Sequence, residues 1–425
     1  MKRIAVLLII FHFFFFENSF AQQKKIAVQD AVIPGAERMN VWLPYLKGKS
    51  VAVFANQTSI VSNAHLVDTL IKLGVNIVKI FGPEHGFRGN ASAGEHVNDG
   101  KDKATGLPVI SLYGDHKKPT AADFKNVDII VFDIQDVGVR FYTYISSLEY
   151  LLEACLENHK PLLILDRPNP NGFYVDGPVL DKKFKSFIGM QEIPIVYGMT
   201  MGEYANMLLN ERLLATNTNY PVVKINFETD KRALLYSQAP LSNFELIIIT
   251  CKNYDHKTKY NLPVNPSPNL KSMGAVYLYP STCFFEGTIF SEGRGTDKPF
   301  QIYGHPKMPK NLFSFTPLPN EGAKSSKCYN QICYGYDLSG SNEEVLKKVN
   351  GKIQLKHIIN AYKVFPGKDS FFLKNNFINK LAGNDVFQQQ IKAGKTEAEI
   401  KKSWQPALVQ FKAVRKKYLL YKDFE

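Results

Sequence analysis

Glu84 lies in Gly82-Pro83-Glu84-His85-Gly86, an ionisable pair framed by residues that turn the chain and let a second backbone or a ligand come close. A carboxyl group partly withdrawn from water holds its proton more readily, which suits it to general-acid chemistry; the alternative is a glutamate capping the turn that follows. Asp133-Ile134-Gln135-Asp136 supplies two more carboxyl groups and an amide. In an extended segment Asp133 and Gln135 share one face, either towards a ligand or in hydrogen bonds that finish a strand. Arg140-Phe141-Tyr142-Thr143-Tyr144 alternates a cation with two rings, a pattern that serves an anionic sugar or plain packing. Beyond residue 260 come Pro266-Ser267-Pro268-Asn269 and then Glu286 to Thr296, where glycines surround Glu292, Arg294 and Thr296. Such a loop either presents its side chains to a ligand or is pinned by an Arg–Glu pair.

The elements that must hold these residues read as short β-branched runs alternating with amphipathic segments. Strands are expected at Val51–Phe54, Val75–Ile80, Val109–Leu112, Val127–Phe132, Leu162–Leu165 and Leu246–Thr250, all apolar enough to be buried on both faces. Helices are expected at His65–Leu73, Ser146–Glu157 and Thr200–Leu214. This rhythm predicts an α/β fold with a doubly wound, mostly parallel sheet, whose site forms beyond the carboxyl ends of the strands. Polar residues stand at those ends: Asn56-Gln57-Thr58, Glu84-His85, Asp133 to Asp136, and Asp166-Arg167-Pro168-Asn169. Neither GxGxxG nor a P-loop occurs, so the rhythm carries no nucleotide claim. Clustered prolines place a join between Tyr254 and Asn269, separating residues 22–260 from a smaller α/β part at 261–425. There a strand is expected at Ile353–Ile359 and helices at Phe377–Ala393, Thr396–Ser403 and Pro406–Tyr418, with Thr396 and Glu399 spaced as a capping box.

The chain has 425 residues, 45% of them hydrophobic, which excludes a disordered chain or a small disulfide scaffold. Residues 301–425 hold 21 basic and 10 acidic residues, so most of the net charge of +13 sits there. Lys401, Lys402, Lys412, Arg415, Lys416 and Lys417 read as a solvated helix face, or as an attraction to an anionic polymer. Met1-Lys2-Arg3, the apolar run Ile4–Phe16 and small Ser19 and Ala21 form a secretory signal at residues 1–21. Export, with periplasm favoured, disfavours nucleic acid as a partner, and no later segment is long enough to anchor the chain in a membrane. The odd set Cys155, Cys251, Cys283, Cys328 and Cys333 leaves at least one thiol unpaired within the chain; Cys328 and Cys333 are the pair placed for a disulfide, the alternative being reduced thiols throughout.

Taken together, GPEHGFRG at 82–89, DIQDVGVRFYTY at 133–144, LDRPNPNG at 165–172, DGP at 176–178, YGMTMGEYA at 197–205, PSPN at 266–269 and SEGRGT at 291–296 resemble the NamZ-type exo-β-N-acetylmuramidases, a family of peptidoglycan hexosaminidases. The resemblance runs from about residue 40 onward. It implies a Rossmann-like catalytic domain, a smaller C-terminal domain and a cleft at their junction. The implied activity is release of N-acetylmuramic acid (MurNAc) from non-reducing ends of peptidoglycan fragments, with MurNAc-GlcNAc units as partners and no cofactor or metal. Glu84 matches the family's catalytic glutamate. His85, Asp133, Gln135, Asp136, Arg140, Tyr142, Asp166, Arg167, Asn169, Asn269, Glu292 and Arg294 fall in motif positions and are expected around the sugar. Ile289 after Thr288, and Leu270-Lys271 after Asn269, depart from the family's usual residues.

The chemistry fits these residues. Cleaving a glycosidic bond takes a protonated carboxyl group at the leaving oxygen and a second group that activates water, attacks, or lets the substrate's acetamido group attack. Glu84 suits the first role, and Asp133, Asp136 and Glu292 are candidates for the second. Arg140, Arg167 or Arg294 suits the lactyl carboxylate of muramic acid. Two rivals remain at this level: a metal-dependent hydrolase using His85, Glu95, His96 and Asp133, and a non-catalytic cell-wall glycan-binding protein.

Overall fold

Seven parallel strands, with helices between several of them, form the large sheet in a computed structural model of the chain. They are β1 (Val51–Ala55), β2 (Ile77–Gly82), β3 (Pro108–Ser111), β4 (Ile129–Asp133), β5 (Leu162–Leu165), β6 (Lys224–Glu228) and β7 (Glu245–Ile249). The structure describes residues 30–425 except 90, 92, 93, 96, 97, 217–223 and 229–243, with 224–228 described by backbone alone. The expected signal segment 1–21 lies outside the described residues.

The sheet order is β3-β2-β1-β4-β5-β7-β6, with the two-residue strand Gly100–Lys101 antiparallel at the β3 edge. The chain winds outward from β1 in one direction and from β4 in the other, so the switch in strand order falls between β1 and β4. Each face of the sheet is covered. Val51, Val53 and Ala55 pack on one side with α1 (Leu66–Lys72), and Ala52 and Phe54 on the other with α2 (Tyr144–Glu157) and α3 (Met201–Asn210). Burial on both faces is why these strands are apolar runs without alternation. Thr200 and Glu203 close a reciprocal cap at the start of α3.

After α4 (Met273–Thr282) the chain builds a smaller antiparallel sheet from β8 (Ile302–His305), β9 (Phe313–Phe315) and β10 (Cys333–Asp337), with β10 central. Helices follow: α5 (Asn342–Val349), α6 (Lys356–Val364), α7 (Phe377–Ala382), α8 (Val386–Lys392) and α9 (Glu397–Lys416). Three expectations are corrected here. The segment expected as a strand at Ile353–Ile359 leads into helix α6, because Leu355, Ile358 and Ala361 are buried at a spacing of three. The helix expected over Phe377–Ala393 breaks at Gly383, whose φ of +78° ends α7. The two segments expected at Thr396–Ser403 and Pro406–Tyr418 are the single helix α9, which carries Pro406 on its exposed face, where a freed carbonyl can be hydrated.

The expected basic face of α9 is also not uniformly solvated. Arg415 is buried, donates to Gly198 O at 2.8 Å and pairs with Asp423 at 2.9 Å. The tail beyond α9 then crosses back to the large sheet. Leu420 N donates to Glu203 at 2.8 Å, His256 N to Lys422 O at 2.9 Å, and the Tyr421 hydroxyl to Asp166 Oδ2 at 2.6 Å. None of the five cysteines is joined in a disulfide, the expected pair Cys328 and Cys333 included.

Between β5 and α3 the chain makes an excursion, residues 178–193, that is tied to the helices at Gln191. The Gln191 amide and the Tyr204 hydroxyl both donate to the carboxyl group of Glu149 on α2. Burial pushes Glu149 up to about 7, against the opposing pull of the Gln191 hydrogen bond. A carboxyl group raised in the folded state contributes stability that is full below the unfolded pKa and is lost as pH rises through the folded one. Glu149→Gln escapes that loss. Its unfolding free energy relative to wild type is therefore expected to rise between about pH 5 and about pH 8, by at most about 3 kcal/mol, in paired urea titrations.

Candidate active site

A cavity of about 760 Å³ opens beyond the carboxyl ends of β2, β3 and β4, where it meets α4 and the loops that follow. Glu84 enters it from the turn after β2. His85 (φ +69°) and Gly86 (φ +76°) are both left-handed there, and Gly86 N closes the turn on Pro83 O at 2.9 Å. Three donors converge on the Glu84 carboxyl group: Gly94 N on Oε1 at 3.1 Å, the Tyr113 hydroxyl on Oε1 at 3.0 Å, and the Thr143 hydroxyl on Oε2 at 2.6 Å. A backbone N–H can only donate, so Oε1 is fixed as an acceptor. The Thr143 hydroxyl can also accept, so Oε2 is the oxygen able to carry a proton.

His85 beside it is buried, and desolvation lowers its pKa against the opposing charge of Glu84, so its imidazole is neutral near pH 7. Its Nδ1 faces Ala91 O at 2.8 Å, and a carbonyl only accepts. The proton therefore sits on Nδ1 and Nε2 is left as an acceptor.

The opposite wall is a chain of charges. Glu292 is buried and meets Arg294 Nε at 3.3 Å and Lys327 Nζ at 2.7 Å. Arg294 also donates to Glu286 Oε1 at 3.1 and 2.6 Å, and its guanidinium stands 5.0 Å from the Phe300 ring centroid. Burial works against that cation, but Glu286 and Glu292 outweigh it and hold the pKa above its ordinary value. Lys327 donates hydrogen bonds to Phe285 O and Thr288 O, while its contact with Glu292 is an ion pair. Aromatic residues fill much of the lining between the two walls, among them Tyr142, Tyr144 and Tyr279. At the mouth Lys324 reaches across to Glu95 at 2.6 Å.

The structure thus brings Glu84, His85, Tyr142, Glu292 and Arg294 to one cavity and sets the other expected residues behind it. Asp133, fully buried, is held by a bidentate pair with Arg167 at 2.6 and 2.9 Å. Gln135 donates to Asp136 O and Pro168 O. Asp136 accepts from Gly138 N and the Tyr197 hydroxyl, and burial pushes it up to about 6. Asp166 takes donors from Thr200, Gly202 and Tyr421 and is likewise pushed up to about 6 by burial. Asn169 donates to Met199 O and accepts from Asn171 N. Asn269 donates to Gly322 O, which fixes the loop that carries Lys324.

Arg140 is the sharpest departure. Residues 134–143 are not a strand, so the expected alternation fails, and the guanidinium turns inward to three backbone carbonyls while Tyr142 and Tyr144 face the cavity. Asp133 and Asp136 are accordingly corrected as candidates for the second catalytic role, as are Arg140 and Arg167 as holders of a substrate carboxylate. Of the set His85, Glu95, His96 and Asp133, His96 lies outside the described residues and Asp133 is paired with Arg167; among the described residues no three His, Cys, Asp or Glu side chains gather as metal ligands. Tyr113, Thr143, Glu286 and Lys327 were not expected in these roles. Tyr113 lies two residues beyond β3, Thr143 lies inside DIQDVGVRFYTY and Glu286 opens the segment 286–296, whereas nothing in the sequence marks Lys327.

Two family models cover the chain: exo-β-N-acetylmuramidase NamZ, N-terminal, over residues 51–274, and its C-terminal counterpart over 277–421. A peptidoglycan β-N-acetylmuramidase NamZ from Bacillus subtilis strain 168 is 35% identical over 95% of this chain and 94% of its own. Two crystal structures of DUF1343 family proteins from Bacteroides fragilis share the fold. One is 45% identical with a TM-score of 0.79, the other 26% identical with a TM-score of 0.71; each match covers 92% of this chain and 99% of the other.

Lys327 ties Glu292 to the carbonyls of Phe285 and Thr288. Lys327→Met is expected to cost about 2 kcal/mol in chemical unfolding. In a double-mutant cycle with Glu292→Gln, part of that loss is expected to return, giving a coupling of about 1 kcal/mol.

Proposed function

The chain belongs to the exo-β-N-acetylmuramidase NamZ family and is a glycoside hydrolase, and we propose that it releases N-acetylmuramic acid from non-reducing ends of peptidoglycan fragments, with Glu84 as the acid and base. The observation that carries this reading is the hold on Glu84: one oxygen fixed as an acceptor, the other against a hydroxyl that tolerates either protonation state. Such a carboxyl group can give a proton to the glycosidic oxygen as the bond to the anomeric carbon breaks. It is then received as a carboxylate by three donors already in place. Water completes the reaction by adding its oxygen to the anomeric carbon and returning a proton to Glu84.

The second role falls to Glu292 or to the substrate's own acetamido oxygen, since Asp133 and Asp136 are committed inside the fold. For the lactyl carboxylate, Arg294 is the arginine that lines the cavity. The parts 22–260 and 261–425 act as the catalytic domain and an auxiliary domain that completes the cleft. A signal at residues 1–21 would deliver the enzyme to the periplasm, where turnover or recycling of the cell wall supplies its MurNAc-GlcNAc fragments.

The reading is tested by mass spectrometry of products from purified protein and the peptide-free disaccharide MurNAc-GlcNAc, with and without a chelator. Wild type is expected to release free N-acetylmuramic acid regardless of chelator. Glu84→Gln is expected to lower the rate by at least about a thousandfold while still binding the disaccharide. Thr143→Val, which leaves Oε2 without its hydroxyl, is expected to lower kcat by about tenfold with KM little changed. A folded wild-type protein that releases nothing would overturn the assignment.

A further inference from the structure

Arg140 is fully buried, and none of its hydrogen bonds goes to a carboxylate. Its Nη1 donates to Pro178 O at 2.8 Å and to Ile193 O at 2.7 Å, the two feet of the excursion that ends in the turn Ser186–Gly189. Its Nη2 donates to Leu381 O at 2.9 Å, near the end of α7. Burying a cation on carbonyl dipoles alone is costly, and desolvation draws its pKa down to about 9. What the expense secures is a fixed distance between two elements. The excursion brings Phe187 and Ile188 to the cavity, and α7 brings Phe377. Gly383 reinforces the join: its N-terminal neighbour helix and the excursion approach so closely that an added Cβ would stand 2.7 Å from Arg140 Nη2 and 2.9 Å from Leu180 Cα. Asp181 N also donates to Gly383 O at 2.8 Å.

Phe187, Ile188, Phe377 and Tyr113 are partly exposed, whereas Tyr142, Tyr144, Phe300 and Glu292 on the same cavity are buried. The cavity therefore has a deep end that holds the buried Glu292 carboxylate and a mouth where partly exposed rings stand beside the Lys324–Glu95 pair, with Lys117 Nζ 5.6 Å from the Phe187 ring centroid. An exo-acting hydrolase takes the terminal sugar into the deep end, so the next sugar stands at the mouth. The terminal muramic acid is anionic and suits the deep end with Arg294. The sugar that leaves is uncharged, and its C–H faces suit rings rather than ions. Tyr113 links the two regions, since its ring lies 6.1 Å from that of Phe187 and its hydroxyl bonds Glu84.

Resting on the muramidase reading above, we propose that Phe187, Ile188 and Phe377 form the subsite for the leaving N-acetylglucosamine, and that Arg140 is the positioning residue that sets its width. The test compares steady-state kinetics on MurNAc-GlcNAc and on methyl β-N-acetylmuraminide, which has no leaving sugar. Phe187→Ala and Phe377→Ala are expected to raise KM for the disaccharide by about tenfold, and KM for the methyl glycoside by less than about twofold. Arg140→Lys, which cannot reach three carbonyls in one plane, is expected to give the same split between substrates; if it fails to fold, the two phenylalanine variants decide alone. Equal shifts on both substrates, or none on either, would overturn the subsite while leaving the muramidase intact. No turnover of either substrate by wild type would overturn the muramidase reading, and the subsite with it.

Discussion

The bidentate pair between Asp133 and Arg167 closes the carboxyl edge of the sheet beside the point where its strand order reverses. Asp133 ends β4 and Arg167 follows β5, its neighbour, so the pair fastens two adjacent strand ends. Arg167 also donates to Ile60 O at 3.0 Å, which draws in the loop after β1. Ser59 and Thr58 in that loop bond the backbone at Asp133 and Gln135 in turn. An open parallel sheet leaves a crevice at this place, and its polar backbone must be satisfied before side chains can be aimed across it. Burying the pair is tolerable because the geometry is bidentate and both carboxylate oxygens are used.

With that edge fixed, the catalytic wall and the charged wall are set by different means. Glu84 is aimed by backbone conformation, through two consecutive left-handed residues, and then held by donors from three separate segments. Glu292 is aimed by charge, between Arg294 and Lys327. The Pro266–Asn269 loop couples the walls, because Gln57 and Tyr142 both donate to Pro266 O and Asn269 holds Gly322. A change in any one of these ties shifts the spacing of the two walls rather than the identity of the groups.

Six of the seven parallel strands were legible because burial on both faces writes itself as uninterrupted apolar runs, whereas β6 and the strands of the smaller sheet were not expected; the polar residues at the strand ends marked the right edge of the large sheet. What the sequence does not carry is the direction in which each of those residues points. Asp133 and Glu84 look alike in a one-dimensional reading, both acidic and both just at a strand end, yet one is spent on a neighbouring strand and the other reaches the cavity. Period-two reasoning failed for Arg140 because residues 134–143 are irregular, so neighbours two apart need not share a face. The position of Lys327 depends on a loop far along the chain folding back on Phe285 and Thr288, and no local pattern encodes that. At Ile353–Ile359, where a strand is expected, the spacing of Leu355, Ile358 and Ala361 carries the helical period.

The return of residues 418–425 to the large sheet joins the far end of the chain to the catalytic half. Asp166 at the end of β5 and Glu203 on α3 receive donors from Tyr421 and Leu420, which emerge more than two hundred positions later. Without the tail, Asp166 keeps its donors from Thr200 and Gly202 but lacks the Tyr421 hydroxyl, and Glu203 keeps Thr200 and His256 but lacks Leu420 N. The last residues of the chain thus complete the hydrogen bonding of the catalytic half through contacts of long sequence separation, which cost loop-closure entropy before they form.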